Sequence, residues 1–260
     1  MQKQFLFLGT GASTGIPMIG CACHVCTSKD PRDQRLRSSG LLTLGTKRLI
    51  IDVGPDFRTQ ALRHQITSLH GVLITHAHSD HVAGIDDLRA YYLLDHKTIP
   101  CVLSKETMRE LQQRFHYLWM PKAKDKSLVA QIAFFPHEGD EGTFLFEDIP
   151  IQFFTYHQKE MKVTGYRIGS FAYVSDIREY GEGIFTFLEN VDILVLSALR
   201  HDPSPMHFTI DEAIEFARKV KAKATYFTHI AHEIEHERTA RVLPPSIFLA
   251  YDGLTVEIPK

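Results

Sequence analysis

Residues Thr75-His76-Ala77-His78-Ser79-Asp80-His81 place three imidazoles and one carboxylate within six positions, directly after the apolar run Gly71-Val72-Leu73-Ile74. Such a run reads as a short buried strand, and the polar cluster as the loop leaving its end. Imidazole and carboxylate are good ligands for zinc and other divalent first-row ions. Alternation lets His76 and His78 point the same way, while Asp80 and His81 face elsewhere and suit a second ion. A lone H-x-H would be read as a solvated loop. H-x-H-x-D-H behind a buried strand is read instead as a site for two metals, because its spacing serves both at once.

With 260 residues the chain can bury a substantial core, and one large α/β domain spanning 1–260 is the economical reading. A hydrophobic fraction of 44%, a charged fraction of 23% and a net charge of -2 are ordinary for a soluble globular protein and argue against a nucleic-acid-coating surface. The apolar start, Phe5-Leu6-Phe7-Leu8, is too short for a signal peptide and reads as a first buried strand. No run approaches the ~18 apolar residues of a membrane span, so the expectation is a cytoplasmic enzyme. In a reducing compartment the crowding of Cys21, Cys23 and Cys26 argues for metal rather than disulfides. Three thiolates at C-x-C-x-x-C spacing hold one tetrahedral zinc if a fourth ligand arrives from elsewhere, and four protein ligands make such a site structural. Cys101, inside an apolar run, is expected in the core.

In chain order, Gly9 to Pro17 is a tight glycine loop that is neither a Walker loop nor a dinucleotide fingerprint. Gly45-Thr46-Lys47 signals a hairpin between strands 41–44 and 48–53, with Asp52 at the second strand's end, placed to hold a histidine or water behind the metals. A helix is expected over 56–65, a continuous one from Val82 to Leu94, and another from Thr107 to Phe115, followed by a cap or connection to about Lys126. Strands are expected at 130–135, 143–146, 149–156, 163–168 and 171–175, with His157 and Asp176 as candidate ligands at two strand ends. After a strand at 191–196, Thr209-Ile210-Asp211-Glu212 matches a capping box opening a helix to about Val220. His207 then sits just before a helix N-terminus, where anions are favoured, and is a candidate proton donor. The strand 224–228 delivers His229, with His232 turned to another site and His236 on the same helical face as His232. His24 and His201 read as loop histidines.

Taken together, these residues resemble the metallo-β-lactamase superfamily, through Thr75–His81 together with strand-end Asp52, His157, Asp176 and His229 in the expected order. The resemblance implies a four-layer αβ/βα sandwich with metals at one edge of the paired sheets. It implies that His76, His78 and His157 hold one ion, that Asp80, His81 and His229 hold the other, and that Asp176 bridges both. Within the superfamily the chain looks most like the PhnP-type phosphoribosyl cyclic phosphodiesterases. The cysteine loop (20–27) with His232 matches that group's structural zinc site, and His207 its proposed general acid. Asp80 is counted with His207 as catalytic as well as among the ligands.

The function so implied is two-metal hydrolysis of a small or cyclic phosphodiester, with zinc or manganese in the active site, no membrane or nucleic-acid partner, and a homodimer. The alternatives are a tRNA 3′-processing-type endonuclease and a PqqB-like accessory or binding protein. Arg58 and Arg89 are read either as phosphate contacts or as surface or ion-pair arginines.

Overall fold

Phe5 and Phe7 alternate with the less buried Leu6, the period of a strand with one face sealed against a core. In the computed structural model, which describes residues 3–120 and 129–259, that strand belongs to one of two seven-stranded mixed sheets. The first runs, edge to edge, β14 (Thr255–Glu257), β1 (Lys3–Gly9), β2 (Ser39–Leu44), β3 (Lys47–Ile51), β4 (Gly71–Leu73), β5 (Ile99–Ser104) and β6 (Ile132–His137). The second runs β13 (Ile247–Leu249), β12 (Ala224–Thr228), β11 (Ile193–Ser197), β10 (Phe171–Val174), β9 (Met161–Ile168), β8 (Ile149–Gln158) and β7 (Glu141–Phe146).

Three apolar cores define the layers. Between the sheets, Phe5, Phe7, Leu49 and Ile51 of the first meet Phe153, Tyr166, Phe171, Tyr173 and Val195 of the second. The outer face of the first sheet is covered by helices α1 (Phe57–Arg63), α2 (Ser79–Val82), α3 (Arg89–Asp95) and α4 (Lys105–Arg114), whose Phe57, Val82, Tyr91 and Leu111 pack on Ile50, Val72 and Cys101. The outer face of the second is covered by α5 (Ile184–Leu188) and α6 (Ile210–Val220), with α7 (His236–Ala240) following β12. The fold is therefore a four-layer αβ/βα sandwich. Cys101 is fully buried, as expected.

Local sequence explains most boundaries. Thr209 accepts from Glu212 N–H while the Glu212 side chain accepts from Thr209 N–H, so the capping box is fully formed at the start of α6. The hairpin β2–β3 forms as expected, with Gly45 at φ 63°. The continuous helix expected from Val82 to Leu94 does not form: α2 ends at Val82, a 3₁₀ turn spans Ile85–Leu88, and α3 begins at Arg89. The cause is a close passage of chain at Gly84, whose N–H donates to Val53 C=O and where a Cβ would meet Gly54 O at 2.1 Å. The end of the expected connection, from 121 onward to Lys126, lies outside the described residues. No helix among the described residues is long and apolar enough to cross a membrane.

Candidate metal centre

Parallel pairing of β3 with β4, and of β11 with β10 and β12, delivers the C-terminal ends of several strands to one edge of the sandwich. Asp52, Asp176 and His229 each follow such an end, and all three hold left-handed backbone, at φ 62°, 56° and 59°. Non-glycine residues are uncommon there, and such strain clusters at functional sites where the surroundings over-determine it. Asp52 is completely buried: Oδ1 accepts from Thr75 N–H, and Oδ2 accepts from Thr75 Oγ1 and pairs with His81 Nδ1 at 2.7 Å. It thereby aims Nε2 of His81 into the cluster, the orienting role expected of it.

Two donor groups share Asp176: Asp80, His81, His229 and Asp176 form one, and His76, His78 and Asp176 the other. In the first, His81 Nε2 lies 3.4 Å from Asp80 Oδ2 and from Asp176 Oδ2, while His229 Nε2 lies 3.4 Å from Asp80 Oδ2 and 3.3 Å from Asp176 Oδ1. Ligands ~2.0–2.2 Å from a tetrahedral zinc are separated by roughly 3.4 Å, so these four donors already stand at coordination spacing. Burial opposes charge on Asp176, but His229 and His81 overcome it and hold the carboxyl well below the usual range. Burial likewise opposes protonation of His81, and Asp176, Asp80 and Asp52 override it and push its pKa well above the ordinary imidazole range. Both Nε2 of His81 and Nδ1 of His229 are buried without a hydrogen-bond partner. The donor set, with His81 Nε2 buried and unpartnered among its carboxylates, fits a divalent cation.

His157 belongs to neither group. The strand expected to end at Tyr156 continues two residues further as β8, antiparallel to β9 through His157–Lys162 and Gln158–Met161. His157 is therefore inside the strand rather than beyond it, and pleating puts it on the opposite side from its neighbours. Tyr156 and Gln158 take the buried parity. It is Gln158, 1% exposed, whose Nε2 lies 3.4 Å from Asp176 Oδ2 and 3.1 Å from His207 Nε2. The side chain beside Asp176 is thus the Gln158 carboxamide, where a third imidazole from His157 was expected. His207 does join the site: its ring stacks on that of His229 at 4.7 Å, and burial pushes its pKa down to about 4.

A third donor group lies apart from these, formed by Cys21, Cys23, Cys26 and His232. His232 Nδ1 is 3.5 Å from Cys21 Sγ and 3.4 Å from Cys23 Sγ, close to the roughly 3.6 Å edge expected between sulfur and nitrogen on tetrahedral zinc. Backbone N–H groups of Cys26 and Met18 point at Cys23 Sγ and Cys26 Sγ. The Cys26 N–H and then His232 lower the Cys23 thiol to about 6, toward the thiolate a metal requires. His236 does not face this group. It opens α7 and turns inward, where its Nδ1 lies 3.0 Å from the buried Arg35 guanidinium.

Other expectations resolve as follows. The glycine loop braces the site from behind: Ile230 N–H donates to Thr10 C=O and Ala12 N–H to Ile230 C=O, which fixes the turn carrying His229. Arg58 lies with Asp87 in a separate surface cleft, and Arg89 opens α3 with a buried, unpartnered Nε. His24 is exposed and pairs with Glu235, and His201 is exposed. The sequence reading missed Gln158, which carries no ligand signature, and Arg109 and Lys162, which line a cleft of about 580 Å³ beside Ala77 with Glu106, Glu110 and Glu160.

The profile of the Beta-lactamase superfamily domain matches residues 47–230, the segment that carries every donor of the two-group centre. The chain belongs to the metallo-β-lactamase superfamily. A solved diphosphatase of the PhnP family is 37% identical, covers 99% of this chain and 98% of its own, and superposes with a TM-score of 0.91. An octanoyltransferase of Porphyromonas gingivalis is 32% identical over 98% of this chain, and the chain spans about half of that relative, 51% of its length. Zinc-bound PqqB from Methylobacterium extorquens has a TM-score of 0.78 over 98% of this chain and all of its own, with 18% identity, a likeness of metallo-β-lactamase fold alone.

Proposed function

We propose that this chain is a two-metal phosphohydrolase acting on a small phosphodiester. The observation that carries the reading is the pair of donor groups sharing Asp176 at one edge of the sandwich, with His207 stacked against them. Divalent ions held there, zinc or manganese, would acidify a coordinated water and neutralise charge on phosphoryl oxygens. Asp80 is held well below the ordinary carboxylate range, its burial outweighed by His81 and His229, so its part is charge and position rather than proton abstraction. His207 is neutral near pH 7 because of its burial, and acts by donating a ring N–H to the oxygen on which negative charge develops.

The 37% identity to a diphosphatase over nearly the full chain supports a second substrate class, a diphosphate linkage cleaved by the same machinery. The test is hydrolysis of bis(p-nitrophenyl) phosphate, a five-membered cyclic ribose phosphate, a nucleoside diphosphate derivative and a tRNA precursor, each with added manganese or zinc. Turnover of either of the first two, abolished in Asp176→Asn, supports the phosphodiester. Turnover of the diphosphate alone moves the reading to the second class. Cleavage of the tRNA precursor alone, or of none, overturns it.

A further inference from the structure

We propose that the Gln158 amide oxygen is the remaining protein ligand on the His76–His78 side, and that the two active-site positions are therefore unequal. The inference rests on the two-metal reading above. Gln158 is nine-tenths buried and more, its carboxamide tip sits within 3.4 Å of the shared Asp176, and its Oε1 has no partner. Asp176 Oδ2, the oxygen its tip reaches, also faces His76 Nε2 at 3.5 Å, which sets the carboxamide beside the His76–His78 donors. Which end of an amide faces a neighbour is assigned from the hydrogen-bond network. Without a cation, Nε2 is the end that suits the Asp176 carboxylate. With one seated between them, Oε1 is.

The inequality follows from the donors. The Asp80 side offers two carboxylates and two imidazoles, already 3.3–3.4 Å apart. The His76 side offers two imidazoles and the shared carboxylate, with the neutral amide of Gln158 against the Asp176 oxygen that faces His76. His76 Nε2 and His78 Nδ1 stand 2.9 Å apart, hydrogen-bonded to each other rather than spread to coordination spacing. An amide oxygen is a harder and weaker donor than imidazole, and carbonyl and carboxylate oxygens suit manganese better than zinc. The Asp80 side is thus the tight position, and the His76 side the labile one, less selective for zinc.

Protein retaining its cysteine-bound zinc, with the active site stripped, is titrated calorimetrically with Mn²⁺ and with Zn²⁺, and bound metal is counted by mass spectrometry after desalting. Wild type is expected to take up two ions in separate steps and to keep one through desalting. Gln158→His is expected to tighten the weaker step by ~10-fold or more, a change that even outer partners of metal ligands produce, and to leave the tighter step in place. Gln158→Glu, which keeps the shape and adds a charge, is expected to do the same should the histidine variant fold poorly. Gln158→Leu is expected to abolish the weaker step. Two equal steps, or a weaker step indifferent to all three variants, would overturn the role of Gln158. Uptake of no ion by any variant would instead sink the two-metal reading on which it stands.

Discussion

Asp52 belongs to neither donor group, yet it holds the ring of His81, which does. Its carboxylate accepts from both the main chain and the hydroxyl of Thr75 and seats Nδ1 of His81 at 2.7 Å, so one buried acid fixes the first and last residues of the histidine loop. Asp52→Asn keeps the shape but puts an amide against one of these donors. It should weaken metal binding on the Asp80 side by ~10–100-fold, measured by competition with a chromophoric chelator, while the far-ultraviolet dichroism stays unchanged. His207→Ala is the complementary case. It should lower turnover by ~10²–10³-fold with metal content unchanged, because it removes a donor from the reacting oxygen and no donor from the metal groups. Loss of metal in that variant would make His207 a ligand instead. Both residues were legible from their place after a strand or before a helix. Gln158 was not, since its importance depends on two extra residues of strand pairing that reverse which of 157 and 158 faces inward.

At the scale of elements, α7 closes a second buried polar assembly around Arg35. Arg35 is fully buried, donates to Thr10 Oγ1 and Ala250 C=O, and faces Nδ1 of His236. That geometry requires a neutral imidazole, and burial followed by the nearby Arg35 and Arg32 pushes His236 down to about 4 from 6.5. A folded-state pKa below the unfolded value means that the unfolded chain binds the proton more readily. Stability from this contact is complete above pH 6.5 and is lost as pH falls toward about 4. His236→Asn, which preserves an acceptor near the Nδ1 position without titrating, should flatten that part of the pH–stability curve in denaturant melts. An unchanged slope would assign the acid lability elsewhere. Cys23→Ser should remove one ion per chain and leave the other two, with a lower melting temperature; simultaneous loss of all three would mean that the sites are not independent.

At the scale of the molecule, the metal centre joins two sheets that otherwise meet through their apolar faces. His76, His78, Asp80 and His81 leave the first sheet, whereas Asp176 and His229 leave the second. Cations held between them would cross-link the halves and neutralise buried acids. Loading the stripped protein to ~100 times the dissociation constant should stabilise it by about 2.7 kcal/mol per site, seen as a rise in melting temperature. Hydrogen exchange should slow around residues 76–81 and around 176 and 229 together. Protection confined to one sheet would contradict a shared centre.

The chemistry of the centre was written in local sequence. Strand followed by histidines and acids, three cysteines in one loop, and a capping box after His207 are short-range patterns, and periodicity and residue type suffice to read them. The sandwich and the pairing of Cys21, Cys23 and Cys26 with His232 came through likeness to a superfamily and agree with the structure. Three matters were decided only by tertiary packing. Gly84 against Gly54 broke a helix that its own sequence permits. Arg35 drew His236 inward and away from the cysteines. The length of β8 set Gln158 rather than His157 beside Asp176, because a strand has a period of two and its register is set by the partner strand, not by the residues that depend on it.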